Sequence, residues 1–237
     1  MEKQYKHDFT EGFRNGVPIF LGYLSVSFGF GVKAVSGGLD WLTALLISFT
    51  NVTSAGQLQG LSIILASGSL MEMLIAEFVI NIRYSLMSIV LTQKLDRTMS
   101  TLHRMIIGFG ITDEVFAVAT AKSGSVGRRY MYGLILLPLA GWSLGTLMGA
   151  LAGTIMPPLV QDSMGILLYA MFIAIVLPPA GKSRAICFCV SIAAACSCLF
   201  SLVPFFSFMS SGYSVVASAL IASVPAALLF PVKEEEA

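Results

Sequence analysis

The chain has 237 residues, 56% hydrophobic and only 11% charged, with a formal net charge of +1 and a mean hydropathy of +0.84. A soluble domain carries about 25% charged residues, so water cannot be the solvent for most of this surface. Soluble enzymes and disordered scaffolds are excluded, as are nucleic-acid readers, which need a strongly basic field.

Charges cluster and leave long gaps: 15–32, 41–71, 130–161, 163–181, 185–204 and 212–232 carry none. Roughly 20 apolar residues cross the hydrocarbon core as a helix. Lipid offers no partner for backbone groups, so a spanning chain is helical or a closed barrel. Solid apolar runs mixed with Gly, Ala and Ser lack the alternation of a barrel strand. The fold class is all-α: a polytopic integral membrane helical bundle. Helices are predicted at 15–35, 41–66, 70–93, 105–121, 130–155, 163–180, 184–204 and 212–231. Loops between them are short, so 1–237 reads as one transmembrane domain. About seven segments span, plus or minus one, with at least one broken or re-entrant helix. Residues 1–11 are polar and of mixed charge, with no signal-peptide pattern, so the first helix is expected to be retained.

Basic residues on short loops mark the cytoplasmic side. Lys122, Arg128 and Arg129 precede the fifth predicted helix, and Lys182 and Arg184 follow the sixth. The connections 154–162 and 205–211 have no Lys or Arg. Lys94, Arg97 and Arg104 form another basic loop on the opposite flank of 105–121. That segment is short and Gly-rich, and it carries Asp113 and Glu114. It is therefore read as re-entrant or interfacial, with both flanks cytoplasmic. Lys3, Lys6 and Arg14 put the N-terminus on the same side. Three full spans cannot join two points on one side, so 41–66 is expected to break at 51–57.

Polar groups at membrane depth are costly and mark function. The first cluster is Asn51, Thr53, Ser54, Gly56 and Gln57. Polar residues beside glycine in mid-span suggest unwound backbone, whose free N–H groups can bind a carboxylate; interhelical hydrogen bonding is the plainer alternative. The second is Glu77, Asn81, Arg83 and Tyr84. Glu77, Asn81 and Tyr84 share a helix face, with Arg83 roughly opposite. Arg83 is too deep to snorkel easily and needs an anion, either a protein carboxylate or a ligand, which its planar guanidinium can grip bidentately. The third is the Asp113–Glu114 pair, able to bind an ammonium, carry protons or pair with Arg83; burial raises carboxylate pKa values, as a proton carrier requires. Asp113 is the expected coupling acid, with Glu114 opposing its ionisation and Glu77 in a more structural role.

Gly141, Gly145, Gly149 and Gly153 form a small-xxx-small face, for packing within the chain or against a second subunit. Cys187, Cys189, Cys196 and Cys198 lie in one apolar helix. Their co-facial pairs are about 10 and 16 Å apart along it, too far to share a zinc. No nucleotide-binding, metalloprotease or serine-hydrolase motif occurs, so no metal, cofactor or enzyme activity is expected.

Gly12-Phe13, Pro18-Ile19 and Gly22, then Ser54-Ala55-Gly56-Gln57, Asn81-Ile82-Arg83-Tyr84, Thr112-Asp113-Glu114 and the late stretch 171–178 follow one another in an order that resembles the AzlC family. The resemblance covers nearly the whole chain. It implies a branched-chain amino-acid exporter of bacterial inner membranes, working with a small AzlD-like membrane subunit. The expected function is proton-driven export of a small apolar amino acid, with Arg83 or the N–H groups near 54–57 holding the carboxylate. An uncoupled channel or scaffold subunit is the alternative.

Overall fold

The computed structural model describes residues 2–157, 159, 160, 163, 173, 176–206 and 208–231. Among these the only regular elements are helices: α1 Glu2–Ser36, α2 Trp41–Thr50, α3 Ser54–Leu65, α4 Leu70–Lys94, α5 Thr101–Phe109, α6 Asp113–Ala121, α7 Arg128–Gly153, α8 Arg184–Leu202, a 3₁₀ turn at Pro204–Phe206 and α9 Ser211–Leu229. Among the described residues, five helical stretches are long and apolar enough to cross a membrane: Asp8–Ser36, Leu70–Lys94, Arg128–Gly153, Arg184–Leu202 and Ser211–Leu229. The chain is an all-α multi-pass membrane protein. Helix α1 starts well before the predicted residue 15. Of the helix predicted at 163–180, all but 163, 173 and 176–180 lies outside the described residues.

The chain divides into two compact units, 1–58 with 81–168 and 59–80 with 169–237. The first unit is built on α1 and α7, which share its most extensive packing. Gly12 meets Tyr130, Gly16 meets Leu134, and Phe20, Leu24, Phe28 and Val32 meet Gly141, Gly145, Gly149 and Gly153 in turn. Both numbers climb together, so the two helices run parallel. An added Cβ at Gly31, Gly145 or Gly149 would overlap the carbonyl oxygens of Thr146, Leu24 and Phe28. Glycine is needed there because the two backbones touch. The stripe seen in the sequence is thus occupied within the chain, by α1.

The segment expected to break, 41–66, does so, and 105–121, read as one re-entrant or interfacial helix, is itself divided in two. Residues 51–53 and 110–112 are non-helical. Gln57 Nε2 donates to Ser48 Oγ, although nine residues of continuous helix would separate them by about 13 Å. The chain therefore reverses between α2 and α3. The second break also makes a hairpin. The residues after α4 and after α6 meet in a bridge, with Asp96 N donating to Val126 O (3.0 Å) and Val126 N to Lys94 O (2.9 Å). Arg128 Nη1 lies 3.0 Å from His103 Nε2, and Lys122 pairs with Glu11 at 2.5 Å. Both flanks of α5–α6, the start of α7 and the start of α1 thus share one end, as the re-entrant reading of 105–121 requires. Lys94, Arg104, Lys122, Arg128 and Arg129 all gather there.

In the second unit, Glu72 near the start of α4 is buried, and its Oε1 accepts the Gly212 N–H at 2.9 Å. Ser210, the N-cap of α9, makes no side-chain cap bond, so the carboxylate satisfies one of the helix's orphan donors. Gln59 Nε2 donates to Ser211 Oγ at 3.2 Å.

Two outcomes follow. With the native cysteines replaced, single cysteines at Ser100 and Ser125 should react with an impermeant maleimide from the same side of the membrane; labelling from opposite sides would refute the hairpin. Gly149→Val should destabilise the purified protein by about 1–3 kcal/mol in thermal unfolding, since the core has no room for the branch. Gly22→Ala, where nothing lies within 4 Å of the new Cβ, should be tolerated.

Candidate functional site

Several of the expected residues sit where the two interrupted helices restart, at Ser54 and Asp113. At α3, Thr53 is the cap: its carbonyl accepts the Gln57 N–H at 2.9 Å and its Oγ1 the Gly56 N–H at 3.4 Å. At α6, Thr112 does the same, its carbonyl accepting Phe116 N–H at 2.8 Å and its Oγ1 Val115 N–H at 3.4 Å. Thr and Asn compete locally for backbone hydrogen bonds, which is why each helix can stop and restart there. At Gly110 an added Cβ would come within 3.1 Å of the Ile135 side chain, so glycine lets this tip lie against α7.

Asp113 and Glu114 open the first turn of α6, where the helix dipole favours negative charge. Each then meets a partner from another helix. Arg83 Nη1 of α4 forms an ion pair with Asp113 Oδ2, and both side chains keep much of their surface accessible, 41% and 50%. Arg83 Nη2 donates to the Tyr84 hydroxyl at 3.1 Å, and its guanidinium lies 4.8 Å from the centre of that ring. The long side chain curls back over its neighbour, so Arg83 and Tyr84 act together rather than on opposite faces as the helical wheel suggests. Thr53, the cap of α3, lies near Tyr84, on the side of Arg83 away from α6.

Glu114 Oε2 accepts the Tyr23 hydroxyl at 2.5 Å, the length of a charge-assisted O–H···O⁻ bond. Tyr23 packs edge-on against Trp142, with ring centres 5.1 Å apart. Trp142 Nε1 donates to Gln57 Oε1 at 2.9 Å, Gln57 donates to Ser48, and Ser48 Oγ lies 2.6 Å from Thr146 Oγ1. Gln57, Ser48 and Thr146 are almost wholly buried, so this network fixes the Gln57 amide orientation and joins α2, α3 and α7. Tyr23 and Trp142 lie near the midpoints of their spans, which puts the assembly at mid-depth.

The expected residues are thus partly united. Thr53, Gln57, Arg83, Tyr84, Asp113 and Glu114 converge in the first unit. Asn51 is the C-cap of α2, Ser54 the first residue of α3, and Gly56 is buried one turn in. Asn81 precedes Arg83 on α4 in the same unit. Glu77 belongs to the second unit, beside Gly60, where an added Cβ would come within 3.2 Å of its Oε1. Tyr23, Ser48, Trp142 and Thr146 were not anticipated. Trp142 carried a usable signal: an indole N–H in an uncharged span must find an acceptor. No group of His, Cys, Asp and Glu suited to a metal occurs among the described residues.

A family profile described as AzlC protein matches residues 18–156. The chain is 28% identical over 186 residues to the inner membrane protein YgaZ of Escherichia coli K12, covering 76% of each chain. It is 33% identical over 172 residues to a membrane protein of Archaeoglobus fulgidus, covering 72% of this chain and 75% of the other. With a membrane protein of Helicobacter pylori J99 the identity is 31% over 156 residues, 62% and 67% of the two chains. No solved structure matches.

Replacing Gln57 with Leu strands the Trp142 N–H and one hydroxyl of the Ser48–Thr146 pair. Loss of a buried hydrogen-bond partner costs about 1–3 kcal/mol, so Gln57→Leu should lower the thermal unfolding midpoint clearly. Gln59→Leu, removing only the more exposed bond to Ser211, should lower it less. Equal effects would show that the Gln57 network is not a buried one.

Proposed function

Because the chain belongs to the AzlC family, a family tied to membrane transport, we propose that it is a secondary transporter that exports branched-chain or other small apolar amino acids from bacteria, driven by the proton gradient. Its working membrane is the inner membrane, and its partner is the small AzlD-like subunit that the family resemblance implies. The observation that carries the reading is the meeting, at mid-depth, of two half-helix starts with one accessible Arg83–Asp113 pair. Broken helices with their starts at the bilayer centre are how many transporters hold a substrate carboxylate.

Arg83 and Asp113 offer the two charges of an α-amino acid. In the empty site they neutralise each other. A substrate carboxylate takes the place of Asp113 on the guanidinium, and the freed Asp113 carboxylate meets the substrate ammonium or takes a proton. Protonation removes the charge of Asp113 and loosens its hold on Arg83, so proton uptake and substrate binding compete for one carboxylate. Glu114, next to Asp113 in the chain, is held by Tyr23 and so is kept apart from the Arg83 pair. Side chains that would contact the apolar tail are not assigned.

Amino-acid efflux from loaded vesicles, with and without an imposed pH gradient, tests this. Asp113→Asn should abolish gradient-driven export, by at least about tenfold, equivalent to about 1.4 kcal/mol, while sparing part of the exchange. Glu77→Gln should cost less. Arg83→Lys keeps the charge and loses the planar fork, so it should impair transport, and Arg83→Ala should be worse. Gradient-driven export intact in Asp113→Asn, or normal export in Arg83→Lys, would refute the assignment.

A further inference from the structure

A second polar site lies away from mid-depth, at the basic end of the first unit. Where the basic loops meet, a cavity of about 450 Å³ opens between Asp8 of α1, the turn Asp96–Met99 and the start of α7 at Gly127–Arg129. That volume is within the usual range of small-molecule sites. It is separate from the mid-depth site: Asp8 and Tyr23 are 15 residues apart on one helix, about 22 Å of rise.

Its walls are held in place by bonds that owe nothing to a ligand. The 94–126 bridge fixes one side. Arg104 donates from Nε to Met99 O and from Nη2 to Asp96 O, both at 3.1 Å, clamping the turn from behind. Thr98 N and Oγ1 both donate to Asp96 Oδ1 at 2.9 Å. These bonds hold the Asp96 carboxyl below its usual pKa, so it stays ionised at neutral pH. Arg128 is steadied by His103. Gly127, which lines the cavity, caps α7 with no side-chain hydrogen bond, so the positive end of that helix lies at the cavity wall. An added Cβ at Gly127 would meet nothing within 4 Å.

The lining charges decide the ligand class. Asp8 and Asp96 repel a simple anion, and Arg128 and Arg129 repel a simple cation. A molecule bearing both charges satisfies both pairs. We propose that this cavity is a vestibule that binds a zwitterion, with its anionic oxygens toward Arg128, Arg129 and the start of α7, and its ammonium toward Asp8 and Asp96. The same chemistry is offered by a free α-amino acid and by a phosphatidylethanolamine headgroup; the amino acid as a source rests on the transport reading above. A vestibule of this kind would collect substrate at the basic end before it enters the span.

Gly127→Cys, in a chain whose four cysteines are replaced by alanine, reports on the cavity without crowding it. Its alkylation by a small maleimide is followed on purified protein in maltoside micelles, with no gradient. L-Leucine should slow alkylation saturably, while 4-methylpentanoate and 3-methylbutylamine, each carrying one of its charges, should not. Asp96→Asn and Arg129→Gln should each raise the half-protecting concentration at least about tenfold. Asp8→Asn is the substitute if either fails to elute as a monodisperse, cooperatively unfolding species. Protection by added phosphatidylethanolamine but not phosphatidylglycerol, in place of leucine, supports the same site with a lipid occupant. The proposal is overturned if no zwitterion protects, if 4-methylpentanoate protects as well as leucine, or if the charge variants leave protection unchanged. Leucine flux in proteoliposomes without protection overturns the vestibule and leaves the transport reading standing; protection without flux does the reverse.

Discussion

Backbone-to-backbone contact between α1 and α7 is the constraint on which the first unit depends. In lipid, side-chain burial gives helices little reason to associate, and close van der Waals approach takes its place. Glycines on both helices allow that approach over most of their shared length. Because the glycines interlock with the opposing carbonyls, they also fix the register. A shift of one turn, about 5.4 Å, would separate Tyr23 from Trp142 and Glu11 from Lys122. The mid-depth site and the basic-end cavity are therefore set by one interface.

Against this parallel pair the two hairpins act as inserts. Each interrupts a helix at membrane depth, where unpaired backbone groups are expensive. Each meets part of that cost in the same way, with a threonine at the restart whose hydroxyl and carbonyl accept the first amides. The amides left over, with the positive helix ends, explain why acids are tolerated at 113 and 114. The same acids then reach outward, Asp113 to Arg83 and Glu114 to Tyr23. Under the transport reading proposed above, a ligand that relieved either pair would have to restore what the fold loses by it.

The buried chain from Trp142 through Gln57 to Ser48 and Thr146 is of another kind. Its donors and acceptors are matched and enclosed, so it holds the first hairpin against α7 rather than offering itself to a ligand. The Arg83–Asp113 pair keeps much of its surface exposed, and in the transport reading proposed above it is the pair that a substrate's two charges would exchange with. This contrast in accessibility separates scaffold from site among residues of similar polarity.

By itself the sequence determined the membrane class, the helical fold, the break after α2 and the co-location of both basic loops. Each rests on a local or additive property: hydropathy over a span, a loop's positive charge, an Asn-Val-Thr interruption. It also supplied Arg83, Asp113 and Glu114, since a charge in an apolar run needs no partner to be conspicuous. Only the tertiary structure decided which carboxylate Arg83 takes, and that Glu77 falls in the other unit. Only it gave Tyr23, Ser48, Trp142 and Thr146 their places, and turned the glycine stripe of α7 onto α1. Those outcomes depend on which helices run parallel and in what register. Register comes from steric fit between backbones more than a hundred residues apart, and no spacing within one segment records it.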